Sequence, residues 1–402
     1  MQSGSLHRNS FWLLLARFSV QGLAVVFVAL IARRLGIHVF GQFSVIASIL
    51  LIGNTLTTFG TDTLIIREVA KAGRITNVVT RSLGLQLSLS TLWWLGTFLL
   101  FRNPPLWLYT LSLFPLAFFS IASALTRAFQ RMDLFWALNL GNGIIQFVAG
   151  LLAGDIWTLC MYLLVGQIVV AFFAIWLSRG FLLEFPLGSL LDFWHLWKFA
   201  WPFAVLTTLT IASQRLGILF VSAMIGDAGA GLYSAAARLV DGMKFGHYAV
   251  LGALLPMLSA GNLGVRNDFR NGFRSMIVFS AVMAGMASLL AKPITVLFYG
   301  DEFKNAASLL TYICWAIIPY TVSSFISVDM VARGKESSLL KASILSIGIF
   351  AILFALSIFL WGLTGAAYAA LIGEMVQAAI FMQASGFYKT KIPEGEQPAS
   401  NG

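Results

Sequence analysis

The sequence predicts an all-α integral membrane protein with about twelve transmembrane helices, arranged as two six-helix bundles around a central cavity. Of the 402 residues, 59% are hydrophobic and only 10% are charged, whereas soluble domains carry roughly 25% charged residues. The hydrophobic residues form tracts, most of which reach the roughly 20 residues that a helix needs to cross a bilayer. Short polar turns separate these tracts, and cations are concentrated on alternate turns. A bilayer is therefore the expected solvent for most of the surface.

The first apolar tract, Phe11 to Ala32, predicts an uncleaved membrane helix. It is too long for a signal peptide, and Arg33 and Arg34 stand where a small-residue cleavage site would be expected. Each later tract ends at a short polar turn, and the longer polar stretches at 179–192 and 261–274 predict short surface helices or turns. The twelve predicted spans are residues 11–32, 41–60, 79–101, 106–129, 134–153, 158–177, 198–224, 232–256, 275–299, 305–326, 338–360 and 363–386.

The distribution of Lys and Arg predicts the orientation of these helices. With the amino terminus inside, 17 cations fall on the cytoplasmic side and five on or near the opposite side. Cytoplasmic loops of membrane proteins carry such an excess, so both termini are expected in the cytoplasm. The net charge of +10 does not indicate nucleic-acid binding, because the cations are spread over the turns. They suit contact with anionic lipids of the inner leaflet.

Two pairs of matching motifs indicate a chain built from two similar halves. The first motif begins at Leu35 and recurs 190 residues later, with the pairs Gly36/Gly226, Gly41/Gly231, Phe43/Tyr233, Ser44/Ser234 and Ala47/Ala237. The second, with an offset of 204, pairs Pro115 with Pro319 and Arg131 with Lys335. We expect bundles at residues 1–192 and 193–388 and a disordered cytoplasmic tail at 389–402. Repeats of this kind are typical of transporters that bind substrate where the repeats meet, although short matches of Gly, Ser and Ala also arise by chance.

Charged residues inside the spans mark the expected substrate site. A charged side chain at mid-membrane costs about 2.5–3.5 kcal/mol on insertion scales, so it normally faces a cavity or a partner. The candidates are Arg215 in the seventh span, Arg238, Asp241 and Lys244 in the eighth, and Arg17 in the first. The eighth-span residues lie at i, i+3 and i+6, within an arc of about 120°. Two alternatives stay open: cations that snorkel to headgroups, and a salt-bridge ladder that only joins helices.

Three acids, Asp62, Asp329 and Glu374, are candidates for pairing with Arg or for carrying a coupling ion, either a proton or sodium. They lie near helix ends or on faces of small residues. The two cysteines lie inside apolar tracts without metal-ligand spacing. The sequence therefore predicts no metal site, no cofactor and no catalytic residues.

Several segments resemble recurrent patches of polysaccharide-unit flippases of the O-antigen type, in the multidrug/oligosaccharidyl-lipid/polysaccharide exporter superfamily. The segments are 35–50 (LGIHVFGQFSVIASIL), 60–71 (GTDTLIIREVAK), 127–133 (RAFQRMD), 231–240 (GLYSAAARLV) with Pro256, and 297–303 (LFYGDEF). The resemblance implies a cell inner membrane protein of lipopolysaccharide and polysaccharide biosynthesis. It also implies a substrate, an oligosaccharide linked to undecaprenyl pyrophosphate, that moves from the inner to the outer leaflet. Membrane lipids and other glycan-assembly membrane proteins are the candidate partners.

Cations suit such a substrate, because Arg binds phosphate through a bidentate fork and Lys through a point charge. Two other functions stay open. A cation-coupled multidrug or toxin exporter of the same superfamily would be expected to have a cavity dominated by carboxylates, whereas these spans are net basic. A membrane glycan polymerase or ligase would need a large external loop with catalytic residues, and no connection here is that long. The sequence therefore favours a transporter over an enzyme.

Overall fold

The computed structural model describes residues 3–182, 194–244, 247 and 263–386, and in these residues the regular structure is helical throughout. The α-helices are α1 Ser3–Thr58, α2 Thr61–Ala72, α3 Asn77–Leu100, α4 Pro104–Thr110, α5 Leu113–Ala128, α6 Met132–Leu152, α7 Ile156–Leu182, α8 Trp194–Ile225, α9 Asp227–Met243, α10 Leu263–Leu289, α11 Ala291–Tyr299, α12 Ala306–Ile313, α13 Ile317–Ala332 and α14 Glu336–Ser385. Short 3₁₀ segments cover Asp301–Phe303 and Cys314–Ala316. The predictions for the tail at 389–402 and for most of 179–192 concern residues outside the described ranges.

Nine helical segments of the described chain are long and apolar enough to cross a membrane. Two of them contain two arms each, because α1 breaks at Gly36 (φ 74°) and α14 breaks at Gly362 (φ 57°). A positive φ interrupts a right-handed helix, and glycine adopts it without a steric cost. The eighth predicted span, 232–256, is only partly described. The segments agree with about twelve spans, and the prediction of an all-α integral membrane protein is confirmed.

Some predicted boundaries were wrong, and each error has a local cause. Residues 33–40 were expected to form a loop, but α1 is interrupted only at Gly36, because this one residue makes the turn. The polar residues 263–274 were expected to form separate surface structure, but they continue as helix into the ninth span. That span in turn breaks at Leu290, three residues before Pro293, because proline cannot continue the backbone ladder of a helix.

The fourth and tenth predicted spans share a break beside the two matched prolines. The fourth is divided into α4 and α5 at residues 111–112, and the tenth into α12 and α13 at Cys314–Ala316. Pro115 is the third residue of α5 and Pro319 is the third residue of α13. A proline ring clashes with the carbonyl four residues earlier, which falls in the break in both cases. The second sequence match therefore corresponds to the same local structure.

The turns that follow these two helices are also alike. The amide of Arg131 donates to the carbonyl five residues earlier at 2.8 Å, and the amide of Lys335 does the same at 2.9 Å. The preceding residues are left-handed, with φ of 56° at Gln130 and 69° at Gly334. This hydrogen-bond pattern is the Schellman helix ending. The repeat thus extends over the turn as well as the helix.

The first sequence match lies where the second arm of α1 crosses α9. A Cβ atom on Gly41 would lie 1.8 Å from the carbonyl oxygen of Asp227, and one on Gly231 would lie 2.3 Å from the carbonyl oxygen of Ile37. Asp227 and Ile37 are themselves 190 residues apart, so the two contacts are reciprocal. Only glycine permits such a close approach of backbones. The matched glycines are therefore needed on both sides of one crossing.

A serine pair completes this crossing. Ser234 donates a hydrogen bond to Ser44 over 2.8 Å between the two Oγ atoms, and both side chains are fully buried. The two serines are matched positions of the motif, so each helix contributes the same group to the contact. Self-complementary contacts of this kind are typical of a two-fold axis. The segments around Gly41 and Gly231 pack as two copies of one motif.

The chain divides into two compact units, which are described separately. Unit 1 comprises residues up to Ala235 together with Thr295–Ala306. In it, α1 packs most extensively against α6 and α8, and α7 packs against α5 and α6. The short helix α2 is amphipathic: Ile65 and Val69 are buried in a core with α3 and α5, whereas Arg67 and Lys71 are exposed.

Unit 2 comprises Ala236–Ile294 and the residues from Ala307 onward. Helix α13 forms its core, packing against α14 on one side and α10 on another. Phe325 of α13 is buried beside Met276 and between the rings of Phe269 and Phe273 of α10. This packing holds α10, α13 and α14 at fixed positions around the end of α9, where the predicted charges lie.

Candidate functional site

Lys244 of unit 2 lies within the predicted eighth span and is a buried cation, with 8% of its surface exposed. Its Nζ atom lies 3.6 Å from Oδ1 of Asp241 and 4.4 Å from the ring centroid of Tyr320 on α13. The carboxylate and the electron-rich ring face both stabilise an ammonium that has left water. The spacing of Asp241 and Lys244 on α9 thus produces the contact that the sequence predicted.

A third charged group, Glu374 of α14, belongs to the same cluster. Its carboxylate interacts electrostatically with both Lys244 and Asp241. Its Oε2 atom is buried and has no hydrogen-bond partner in the part of the chain that the structure describes. Two carboxylates therefore interact with one ammonium. A proton or a small cation would neutralise the second carboxylate.

His247 extends this cluster towards α10 and α13. Its Nε2 atom lies 2.7 Å from Oγ1 of Thr321 and 3.0 Å from Oγ of Ser280. Each hydroxyl also donates to a backbone carbonyl one turn earlier, at 2.7 Å to Ile317 and 2.6 Å to Met276. The two hydroxyls also lie 2.8 Å apart, so the imidazole and both hydroxyls form one hydrogen-bond network. The histidine thus contacts two helices, α10 and α13, beside the charged cluster.

For the other predicted cations the structure gives a position on a helix and, for two of them, the burial of the side chain. Arg238 lies one turn before Asp241 on α9 and is half-buried. Arg215 is half-buried on α8 in unit 1, about 15 Å from the end of that helix. Arg17 lies on α1, and its side chain is outside the described residues. The structure thus brings together Asp241, Lys244 and Glu374 of the predicted set.

The two remaining acids already have cationic partners. Asp62 accepts from Arg127 of α5 at 3.0 Å and from the hydroxyl of Ser120 at 2.6 Å. Asp329 of α13 pairs with Arg333, one turn later and just past the end of that helix, at 2.8 Å. The Asp62 contact joins α2 to α5 and the Asp329 contact stays within one helical turn, whereas Oε2 of Glu374 has no hydrogen-bond partner among the described residues.

The sequence interpretation gave no role to the adjacent arginines that end the first arm of α1. Arg33 donates to the carbonyls of residues 296–298 at the end of α11. Arg34 donates to the carbonyls of Gly150 and Leu151 at the end of α6. Helix carboxyl ends carry unpaired carbonyls and a partial negative charge, which cations stabilise. The sequence did contain a sign of this role, because both arginines lie on the side of the membrane that was predicted to carry few cations.

The break at Gly36 receives a complementary acid. The amide of Ile37, which begins the second arm of α1, donates to Oε1 of Glu302 at 3.0 Å. Beside it, Phe40 and Phe303 are fully buried, with ring centroids 5.5 Å apart. A carboxylate at a helix amino end accepts the hydrogen bonds that the helix cannot satisfy internally. The patches at 35–50 and 297–303 therefore fold against each other.

Comparison with known proteins places this fold in a family. A model of the family described as polysaccharide biosynthesis protein matches residues 6–261, well over half of the chain. The chain belongs to this family. No curated protein matches it in sequence. The predicted resemblance to the polysaccharide branch of the exporter superfamily is confirmed at the level of family and fold.

Solved structures share the fold of this polysaccharide biosynthesis protein at low sequence identity. The lipid II flippase MurJ in an inward closed conformation is 14% identical, with a TM-score of 0.76 and coverage of 94% of this chain and 87% of that one. An inward-facing multidrug resistance MATE family transporter of the MOP superfamily is 15% identical, with a TM-score of 0.73 and coverage of 92% and 96%. A MOP superfamily transporter from Pyrococcus furiosus is described by the reverse polarity of its binding pocket. It is 15% identical, with a TM-score of 0.60 and coverage of 96% of this chain and 92% of that one.

Proposed function

We propose that the protein moves an oligosaccharide linked to undecaprenyl pyrophosphate from the inner to the outer leaflet of the cell inner membrane by alternating access. The observation that carries this proposal is Lys244, a buried cation within the predicted eighth span of a polysaccharide biosynthesis protein. The fold likeness to a lipid II flippase supports it. Both termini would lie in the cytoplasm, and the two sequence halves, 1–192 and 193–388, would form the two bundles.

In unit 2, Lys244 and Arg238 would hold the pyrophosphate. Arg215 and Arg17 of unit 1 stay sequence predictions of substrate-binding cations. At 3.6 Å, the contact between Lys244 and Asp241 is longer than an ordinary hydrogen bond of 2.7–3.2 Å. A phosphate oxygen would compete with this carboxylate for the ammonium. The carboxylate of Asp241 would balance the charge of Lys244 while the site holds no anion.

Glu374 is the best of the three proposed coupling residues. Asp62 and Asp329 are each paired with an arginine, whereas Oε2 of Glu374 is buried without a hydrogen-bond partner in the described chain. A proton or sodium ion on Glu374 would remove one negative charge from the neighbourhood of Lys244. Binding of the coupling ion would therefore strengthen the attraction of Lys244 for an anion.

A cation-coupled multidrug or toxin exporter is the second candidate function. The observation that favours it is that two carboxylates, Asp241 and Glu374, interact with a single ammonium. Such an excess of negative charge is also suited to a cationic ligand. The fold likeness to a MATE transporter agrees with it. A transporter of this fold is described by a pocket of reverse polarity. The charge of the binding site, and not the fold, must therefore distinguish a flippase from a cation-coupled exporter.

Complementation of cells that lack the protein tests the proposal. We expect such cells to accumulate lipid-linked oligosaccharide and to lose surface glycan. The Lys244→Ala variant should be as abundant in these cells as the unaltered protein. It should export about tenfold less glycan, which corresponds to 1.4 kcal/mol of lost binding free energy. Lys244→Arg should retain most of the activity, and Lys304→Ala, which removes an exposed cation of unit 1, should retain all of it.

Full export by Lys244→Ala at normal abundance would exclude the proposed role of this cation. Drug sensitivity together with unchanged surface glycan in the deletion strain would favour the exporter.

A further inference from the structure

Helix α6 carries three carboxamides in the middle of a membrane span. Asn139, Asn142 and Gln146 lie seven, ten and fourteen residues after its first residue. At 100° per residue they share an arc of about 60°, and Asn142 lies about 15 Å from either end of the helix. Polar side chains at this depth need partners, because lipid offers none.

The carboxamides point away from the exposed side of α6. The strongly exposed apolar residues of the helix are Ile144, Val148, Leu151 and Leu152, between 41% and 64% exposed. At 100° per residue, the centre of this apolar face lies about 180° from the centre of the carboxamide arc. The apolar face suits lipid. The carboxamides therefore face the protein side of the helix.

A fourth carboxamide, Gln167 of α7, bonds to Asn142, and we call these four residues the amide cluster. Within it, Nδ2 of Asn139 donates to the carbonyl of Phe135 on its own helix at 2.8 Å. Oδ1 of Asn142 accepts from Nε2 of Gln146 at 3.2 Å and from Nε2 of Gln167 at 3.1 Å. Gln167 is only 5% exposed, and its Oε1 atom has no hydrogen-bond partner among the described residues. The Nδ2 atom of Asn142 and the Oε1 atom of Gln146 likewise have no hydrogen bond within the described part of the chain.

The cluster thus offers donors and acceptors in the same place. A carboxamide has two N–H donors and a carbonyl acceptor. A sugar hydroxyl both donates and accepts, so one hydroxyl can bond the amide nitrogen of Asn142 and the amide oxygen of Gln146. A pyrophosphate has only acceptors at neutral pH and suits cations, and a polyprenyl chain has neither group.

The neighbouring helices leave this arc of α6 bounded on both sides. Trp136 donates to Ser19 of α1 at 3.3 Å, and a Cβ atom on Gly143 would lie 2.6 Å from Leu23 of α1. On the other side, Asn142 contacts α7 through Gln167. The amide cluster lies between these two contacts, within unit 1.

We propose that the amide cluster, Asn139, Asn142, Gln146 and Gln167, binds hydroxyl groups of the sugar portion of the lipid-linked oligosaccharide. The inference rests on the proposed function and adds a site for the glycan, separate in residues and chemistry from the cations that would hold the pyrophosphate. Hydrogen bonds between membrane helices also join helices without any ligand, and the experiment distinguishes that role.

Binding to the purified full-length protein in detergent tests the inference with two probes. One is undecaprenyl pyrophosphate without sugar, and the other is lipid-linked oligosaccharide extracted from cells that lack the protein. We expect Asn142→Ala/Gln146→Ala to weaken binding of the oligosaccharide lipid about tenfold, as expected for the loss of two hydrogen bonds, and to leave binding of the sugar-free lipid unchanged. Val148→Ala, a truncation on the exposed face of the same helix, should bind both probes as the unaltered protein does.

An unchanged preference for the oligosaccharide lipid in the double variant would overturn the inference. So would an equal loss for both probes accompanied by a lower melting temperature, which is the result expected of a purely structural cluster. Gln146→Ala serves where the double variant is unstable, because Gln146 bonds only to Asn142 on its own helix. It should weaken oligosaccharide binding a few-fold, and no change would again overturn the inference. If the unaltered protein bound neither probe, the proposed function itself would fail.

Discussion

Asp155, at the amino end of α7, shows how a single residue fixes a turn between two spans. Its carboxylate accepts from the backbone amide of Thr158 at 2.8 Å and from the Thr158 hydroxyl at 2.6 Å. The hydroxyl of Thr158 in turn accepts from the amides of Gly154 and Asp155. These hydrogen bonds from Thr158 hold the pKa of Asp155 below its usual value. The arrangement is a helix amino-terminal cap.

The lowered pKa of Asp155 predicts a pH-dependent contribution to stability. A depressed pKa in the folded state stabilises the protein above the unfolded pKa of about 3.9, and this contribution disappears as the pH falls through the folded value. We expect Asp155→Asn, which keeps the cap, to show a smaller loss of melting temperature between pH 7 and pH 3 than the unaltered protein. Tryptophan fluorescence in detergent measures it, and identical profiles for the two proteins would contradict the assignment.

Part of the candidate site was predictable at the residue scale. Asp241 and Lys244 lie three residues apart on one helix, so their contact follows from helical periodicity. The contribution of Glu374 did not follow, because it depends on how α14 packs beside α9. Tyr320 was missed for the same reason: an aromatic residue in an apolar span carries no sign that its ring faces an ammonium. Local spacing is readable from sequence, whereas packing between distant helices is not.

At the scale of elements, glycine and proline account for the breaks. The offset of 190 predicted that Gly41 and Gly231 are equivalent, and both meet a backbone carbonyl of the opposing segment. The sequence could not show that the two copies contact each other. It also did not show that helix continues through residues 33–40 apart from the break at Gly36, or that the helix at 263–274 runs without a break into the ninth span. Hydropathy locates the bilayer, and helices extend beyond it.

The reciprocal glycine crossing predicts a clear difference between glycines. Gly41→Ala or Gly231→Ala should destabilise the protein by about 1–3 kcal/mol, because the new methyl group overlaps a backbone carbonyl and two helices must move apart. Gly96→Ala is the matched control, since a Cβ there meets nothing within 4 Å. It should be neutral or stabilising by up to about 1 kcal/mol through helix propensity. Thermal unfolding in detergent measures all three, and equal stability of Gly41→Ala and Gly96→Ala would exclude the crossing.

At the scale of the whole molecule, the fold class and family were predictable, because composition, cation asymmetry and repeated motifs are properties of the entire chain. The substrate is the proposal that goes furthest beyond the fold, since proteins with this fold include both a multidrug transporter and a lipid II flippase. The division of the ligand between cations for pyrophosphate and carboxamides for sugar is the feature that would separate this protein from a drug exporter.

Lipid movement in proteoliposomes tests the central claim most directly. A lipid-linked oligosaccharide with a fluorescent label is incorporated with the purified protein, and an impermeant reductant then destroys the label on the outer surface. We predict that the protein exposes nearly all of the label to the reductant, and that Lys244→Ala exposes it much more slowly. Protection of the inner-leaflet label equal to that in protein-free liposomes, under a proton or sodium gradient of either direction, would contradict the account.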